Sequence, residues 1–166
     1  MAVREADWVD ERREMPDERF PWLSVALRGD GPCIAEARHA AARFLASVHG
    51  EHGEPIPPPA VDLTCLIVSE LVTNALKYAP GPVLMDVRIR GGVVEVVVRD
   101  SDPVFPVAGA ADAGRVGQHG LEIVVSVAQS FEVREDPFGK RVIARVALSD
   151  GADGAGRPGR RGLVAV

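Results

Sequence analysis

The chain has few of the residues that hold small secreted or metal-bound proteins together. Its 166 residues include two cysteines, Cys33 and Cys65, whose spacing fits neither a zinc cluster nor a disulfide framework. We predict that both are small core residues within helices. No uninterrupted apolar run approaches the roughly 20 residues that cross a bilayer, and the first residues lack the apolar stretch of a secretory signal. We therefore expect a soluble, cytoplasmic protein with no membrane contact.

Aromatic residues and an excess of positive charge are also scarce. Aromatic side chains make up 5% of the chain, and the formal net charge is -5. Nucleic-acid binding depends largely on cationic contacts to phosphates, so an acidic body argues against nucleic acid as a direct partner. The length fits one domain with a sizeable core.

The two ends differ in composition from the middle of the chain. Residues 1–19 are rich in charge and poor in apolar periodicity, which predicts a flexible N-terminal arm. Residues 149–166 carry the Gly, Ala and Arg bias of a disordered tail. We expect the folded domain to span residues 20–148.

Hydrophobic periodicity in the middle predicts eight elements in the order β-α-α-β-β-α-β-β. Gly91-Gly92 is a two-residue hairpin signal, and the aperiodic stretch Ser101 to His119 has the length of a functional lid. This order predicts an α/β fold, an α+β two-layer sandwich with helices on one face of a mixed, mostly antiparallel sheet. The predicted strands are 21–29, 83–90, 93–100, 131–135 and 140–148, and the predicted helices are 32–49, 60–79 and 120–130.

The second helix carries a polar stripe on an otherwise apolar surface. Glu70, Thr73, Asn74 and Lys77 recur at helical spacing, so they share one narrow face. Buried carboxylates and amides are costly unless a polar ligand or a metal ion satisfies them. The spacing alone is equally compatible with a stripe that faces water.

An acidic residue ends the second strand of the central hairpin. Asp100 has the same parity as Val94, Val96 and Val98, so its side chain is predicted to point to the buried face. A carboxylate there requires a hydrogen-bond donor, and the exocyclic amine of adenine is one. The alternative is an aspartate that begins a turn.

A glycine-rich segment precedes the third helix. Gly114-Arg-Val-Gly117-Gln-His-Gly120-Leu would let the backbone approach phosphates closely, and a helix N-terminus offers unpaired N–H groups to an anion. In isolation this motif is weak.

In order and spacing, these three segments resemble the GHKL superfamily. Glu70-Leu-Val-Thr-Asn74-Ala resembles its helical motif, Asp100-Ser-Asp-Pro103 its adenine motif, and Gly117-Gln-His-Gly120-Leu its glycine-rich lid motif. The form Ser69-Glu-Leu-Val-Thr-Asn74-Ala and the ending Phe138-Gly-Lys-Arg-Val-Ile-Ala144 are similar to the anti-sigma-factor serine kinases. The resemblance covers about 32–148 and implies a Bergerat-type ATP-binding fold.

The resemblance also implies roles for individual residues. Glu70 would be the general base that deprotonates a serine hydroxyl of a partner protein, and Asn74 would hold Mg²⁺ through its side-chain oxygen. Asp100 would recognise adenine, and Lys77 would pair with a phosphate or with an acidic neighbour. The other residues expected at the nucleotide are Asp102, Gly117, His119, Gly120 and Leu121.

By resemblance, the chain is expected to be an ATP- and Mg²⁺-dependent protein serine kinase. It would bind a sigma factor and phosphorylate an anti-sigma-factor antagonist. Proteins of this branch are often dimers, so a homodimer is also expected.

The lid departs from the family pattern, which leaves other functions open. Gln118 and His119 stand where relatives often have a second glycine and an arginine, and an imidazole carries only a conditional charge near neutral pH. This favours, as an alternative, a catalytically weak or inactive ATP-binding module that acts by partner binding. A further alternative is an ATPase in which Glu70 activates water, although such enzymes usually carry transducer domains.

Overall fold

The computed structural model of the chain describes residues 20–29, 32–49, 53–105 and 119–148. These residues form the eight elements in the predicted order. The predicted arm, the predicted tail and most of the predicted lid lie outside the described residues. The elements are β1 Trp22–Leu27, α1 Cys33–Ser47, α2 Pro58–Tyr78, β2 Val83–Arg90, β3 Val93–Asp100, α3 His119–Val127, β4 Ser130–Asp136 and β5 Gly139–Ala147.

The central hairpin forms as the alternation predicts. Gly91 and Gly92 connect β2 to β3 with φ of 60° and 71°, values that residues with a Cβ adopt only with strain. Alternate residues of both strands face the core: Val83, Met85, Val87 and Ile89 from β2, and Val94, Val96 and Val98 from β3.

The five strands form one sheet in the order β1-β2-β3-β5-β4. Every pairing between them is antiparallel, so the prediction of a mixed sheet is wrong for the described strands. The reason lies in the connection from β3 through α3, which returns the chain as the β4–β5 hairpin. Its second strand then pairs with β3 in the antiparallel sense.

All three helices contribute to one core on one face of the sheet. Buried residues of α1, α2 and α3 form a single hydrophobic cluster with the inward residues of β2, β3 and β5. Helix α2 begins two residues before its predicted start, because Pro58 and Pro59 occupy its first turn. Backbone N–H groups in this turn have no partner within the helix, so proline, which has no N–H, is tolerated there. The prediction of helices on one face is confirmed.

Helix α2 is also long and apolar enough, by length and composition, to cross a membrane. Polar residues interrupt it, and its side chains Ile67, Val68, Leu71 and Val72 belong to the hydrophobic core. A core helix of a globular domain passes the same test, so this feature does not by itself indicate a membrane span.

The two cysteines, both predicted to lie in the core, differ in burial. Cys33 is buried in the core as predicted, but Cys65 is only half-buried, and its Sγ lies 3.9 Å from the backbone carbonyl oxygen of Arg38. Burial and the nearby Asp62 raise the pKa of the Cys65 thiol above its usual range. The next residue, Leu66, is 37% exposed, so α2 is not buried on all sides.

The opposite face of the sheet is covered by charged side chains of the strands themselves. Val97 and Ile143 lie opposite each other at its centre and are both buried. Asp86, Glu95, Arg99 and Arg145 surround this pair, and ion pairs link Arg99 to Asp86 at 2.8 Å and Arg145 to Glu95 at 2.7 Å. The aliphatic stems of such residues shield apolar surface while their charged groups remain near water.

Candidate functional site

The polar stripe of α2 divides into two parts at the border between the core and the surface. Glu70 and Asn74 are half-buried, whereas Thr73 and Lys77 are exposed. The Lys77 ammonium lies 5.2 Å from the centre of the Tyr78 ring, within the range of a cation–π contact. Thr73 and Lys77 therefore face water, as the alternative interpretation of the stripe holds. Glu70 and Asn74 are the residues of the stripe that a partly enclosed ligand could contact.

The first turn of α3 lies directly against Glu70. A Cβ placed on Gly120 would collide with the Glu70 carboxylate. Because glycine has no side chain, the N-terminal turn of α3 can approach α2 at this point. The structure thus brings together Glu70 of the helical motif and Gly120 of the glycine-rich motif, which are fifty residues apart in the sequence.

The other predicted residues of the glycine-rich motif lie in different surroundings. Leu121 is buried in the core and holds the start of α3 against the domain. The His119 side chain is 91% exposed, and its Nδ1 lies 3.4 Å from a carboxylate oxygen of Glu122. Gly117, Gln118 and Arg115 lie outside the described residues, so their predicted roles at the phosphates stay predictions.

Asp100 ends β3 with its side chain on the helix-covered face, as its parity predicts. The residue is 5% exposed. Its Oδ1 accepts a hydrogen bond from the Nζ of Lys140 at 2.9 Å and another from the backbone N–H of Asp102 at 2.9 Å. The bond from Asp102 is typical of an aspartate that begins a turn, which was the alternative interpretation of Asp100. Both hydrogen bonds engage the same oxygen of the carboxylate, Oδ1.

The second oxygen of Asp100 has no such partner. Oδ2 is buried, and none of the described residues donates a hydrogen bond to it. An unsatisfied buried acceptor costs free energy that a ligand donor would recover. Burial raises the pKa of the Asp100 carboxyl, and the Lys140 ammonium opposes this rise. The site therefore contains a buried acceptor that none of the described residues satisfies.

Close backbone contacts connect the end of β3 to the ends of α2 and the β4–β5 turn. The backbone N–H of Gly81, just after α2, donates to the Ser101 Oγ at 3.2 Å. Gly139 has a φ of 151°, and a Cβ there would collide with the carbonyl oxygen of Asp100. Two glycines thus allow three segments to meet beside Asp100.

These contacts arrange the predicted residues along the C-terminal half of α2. Glu70 lies against α3, and the end of the helix is joined to the Asp100 segment through Gly81 and Ser101. Roughly 12 Å of helix axis separates Glu70 from Tyr78, and Asn74 lies between them. Glu70, Asn74 and the segment of Asp100 thus follow one another towards the C-terminal end of α2.

Lys140 is a residue of this site that the sequence analysis missed. It is only 2% exposed, and it lies directly opposite Asp100 in the β3–β5 pairing. A signal was present in the sequence, because Lys140 has the same parity as Val142, Ala144 and Val146, which face the core.

No group of three or more His, Cys, Asp and Glu side chains that could hold a metal ion occurs among the residues that the structure describes. Asn74 can supply one hard oxygen ligand. Mg²⁺ commonly binds through one or two protein oxygens together with substrate phosphates and water. The half-buried Asn74 amide therefore fits a magnesium ion that arrives with a phosphorylated ligand.

A separate cavity of about 260 Å³ lies at the other end of α2. Its lining is mainly apolar and includes Leu45, Val48, Ile56 and Val61. Because it borders the first turns of α2, it is remote from the end of the helix that approaches Asp100.

Comparison with known families agrees with the motifs. The family model described as the histidine kinase-like ATPase domain matches residues 34–146, more than half of the chain. The match includes α2, β3 and α3, which supply the residues of the site. No curated protein sequence matches the chain at a significant level.

Proposed function

We propose that this chain, which belongs to the family of histidine kinase-like ATPase domains, is an ATP-dependent protein serine kinase of the anti-sigma-factor type. ATP binding is what the family implies. The proposal adds that the chain binds a sigma factor and phosphorylates a serine of an anti-sigma-factor antagonist. It also adds a cytoplasmic location, as the composition of the sequence led us to expect, and a homodimer, as the resemblance implies.

The unpaired oxygen of Asp100 is the observation that carries the nucleotide assignment. Oδ2 is buried without a donor from the described residues, while Oδ1 is fully engaged. The exocyclic amine of adenine is a donor of the right type for such an oxygen. We assign Asp100 to adenine recognition, and Asp102 to support of Asp100 through its backbone N–H.

The catalytic assignment depends on the position of Glu70. Its carboxylate lies against Gly120 at the beginning of α3, where backbone N–H groups of a helix N-terminus favour negative charge. A carboxylate beside a phosphate-binding segment can accept the proton of an attacking serine hydroxyl. We therefore assign the general base to Glu70.

The remaining assignments follow from their places along α2 and α3. We propose that Asn74 holds Mg²⁺, which when bound would offset charge on the transferred phosphoryl group. Lys77, exposed near the end of α2, is assigned to a phosphate. Gly117, His119, Gly120 and Leu121 are assigned to the segment that covers the phosphates.

Purified protein, ATP and candidate antagonist proteins test the kinase assignment. Glu70→Gln is expected to bind ATP with nearly unchanged affinity and to lower phosphoryl transfer by about 10²- to 10⁴-fold. The matched control is Glu36→Gln, an exposed glutamate of α1, which should leave both quantities unchanged. If the wild-type protein binds ATP but transfers phosphate to no candidate, the kinase assignment is wrong.

A second function, an ATP-binding module that acts by partner binding, is favoured by the lid. His119 is almost fully exposed and faces Glu122, and an imidazole lacks the permanent positive charge of an arginine. Asn74→Ala separates the two functions. A module that does not use the metal site would retain both sigma-factor binding and the thermal shift produced by ATP, whereas the kinase would lose the Mg²⁺-dependent part of that shift. Phosphate release without an acceptor protein, abolished in Glu70→Gln, would indicate an ATPase instead.

A further inference from the structure

Lys140 is the most buried charged residue of the described structure. It is 2% exposed and lies on β5 among the inward-facing residues Val142, Ala144 and Val146. An ammonium group in such surroundings is costly unless acceptors within the fold compensate for the lost water. Its presence therefore requires a reason beyond packing.

The contacts of Lys140 are all made within the protein. Its Nζ donates to Asp100 Oδ1 at 2.9 Å and to the backbone carbonyl of Asp102 at 3.0 Å, and it lies 3.2 Å from Asp102 Oδ2. A lysine ammonium has three donors. Because three acceptor atoms surround it, no donor is left for a bound ligand.

We propose that Lys140 is a positioning residue that sets purine specificity by fixing Asp100 as a carboxylate with Oδ1 engaged and Oδ2 presented to the ligand. This inference rests on the proposed binding of ATP and identifies what makes that site select a 6-amino purine. Lys140 acts through Asp100 and does not touch the nucleotide.

The chemistry follows from the protonation of Asp100. Among the described residues, the charged groups that face it are Lys140 from β5 and Asp102 from the loop after β3. Burial raises the pKa of Asp100, and Lys140 lowers it. Without the ammonium, the buried carboxyl would hold a proton more readily. A carboxylic acid donates to a 6-oxo group as well as it accepts from a 6-amine, so discrimination between the two purines would be lost.

Binding of ATP and of inosine triphosphate tests the specificity. The two nucleotides differ at the 6 position of the purine, with the accompanying change at N1. The wild-type protein is expected to prefer ATP by about tenfold or more, because a polar site built for one partner rejects the other. In Lys140→Met the preference should fall to near one and recover at higher pH. The control Arg141→Met removes a positive charge from the adjacent residue, which points to the opposite face, and should retain the preference.

The titration of the Asp100 carboxyl, followed by carbon-13 NMR without nucleotide, tests the positioning directly. In the wild type Asp100 should be ionised at pH 7, and in Lys140→Met it should titrate at a higher pH. A protonated Asp100 in the wild type at pH 7 would overturn the inference even if Lys140→Met fails to fold. An unchanged nucleotide preference in folded Lys140→Met would also overturn it. By contrast, a wild-type protein that binds neither nucleotide but shows the expected titration contradicts the proposed function and leaves the electrostatic role of Lys140 supported.

Discussion

The two faces of the sheet use ion pairs in opposite ways. On the open face, Arg99 pairs with Asp86, and Arg145 pairs with Glu95 and Glu132. On the helix-covered face, Lys140 and Asp100 form a buried pair at the end of the strands, where the candidate site lies. Among the described residues, the first set has several partly exposed members. The second is centred on the buried Lys140, which pairs with the buried Asp100 and with the partly exposed Asp102.

One carboxylate on each face, Glu132 and Asp100, has a shifted pKa, and the two shifts have opposite signs. The hydrogen bond from Arg145 holds the pKa of Glu132 below its usual range, whereas burial raises the pKa of Asp100 despite its lysine partner. A buried ion pair is weak evidence for stability because desolvation offsets its attraction. The open-face pairs cover apolar residues, whereas the Lys140–Asp100 pair lies where we propose that the purine is recognised.

The largest expected effect comes from breaking the buried pair. Lys140→Met leaves Asp100 buried without its cation, so the free energy of unfolding should fall by about 3–5 kcal/mol. Arg134→Met, which breaks a partly exposed pair with Glu132, should cost about 1 kcal/mol or less. Urea denaturation of both variants measures the difference. Equal losses would mean that the two faces do not differ in this respect.

The sequence predicted the elements and the inward direction of Asp100 because both depend on local periodicity. Alternation over eight residues places Asp100 with Val94, Val96 and Val98, and two glycines define the hairpin. The contact between Glu70 and Gly120 joins the helical motif to the glycine-rich motif, and the roles of these residues stay predictions.

The sequence could not predict what depends on the order of strands in the sheet. Lys140 meets Asp100 only because β5 inserts between β3 and β4, and no local pattern specifies that insertion. The burial of Val97 and Ile143 on the open face has the same origin, since each is covered by side chains of neighbouring strands. The prediction of a mixed sheet was wrong for this reason as well.

A matched pair of core substitutions tests whether the open face contains a true apolar centre. Ile89→Val on the helix-covered face and Ile143→Val on the open face each remove one methylene from a buried side chain. Both should lower the free energy of unfolding by about 0.5–1.5 kcal/mol, as measured by thermal or urea denaturation. If Ile143→Val costs nothing while Ile89→Val has the expected effect, the charged side chains do not shield a second core.

The smallest effect concerns the dependence of stability on pH. The folded-state pKa of Glu132 is lowered, so its contribution is present above the unfolded-state pKa and is lost as pH falls through the folded-state value. Glu132→Gln should therefore lower the free energy of unfolding by about 0.2–1 kcal/mol at pH 7, and its difference from the wild type should shrink towards pH 3.

For Asp100 the sign is reversed. Because its folded-state pKa is raised, the native state binds the extra proton, and falling pH favours folding through this group. Asp100→Asn removes this titrating group, so the variant should gain less stability than the wild type when the pH is lowered. Denaturation curves between about pH 7 and pH 3 would reveal the two opposite trends, and parallel trends would remove the electrostatic distinction between the faces.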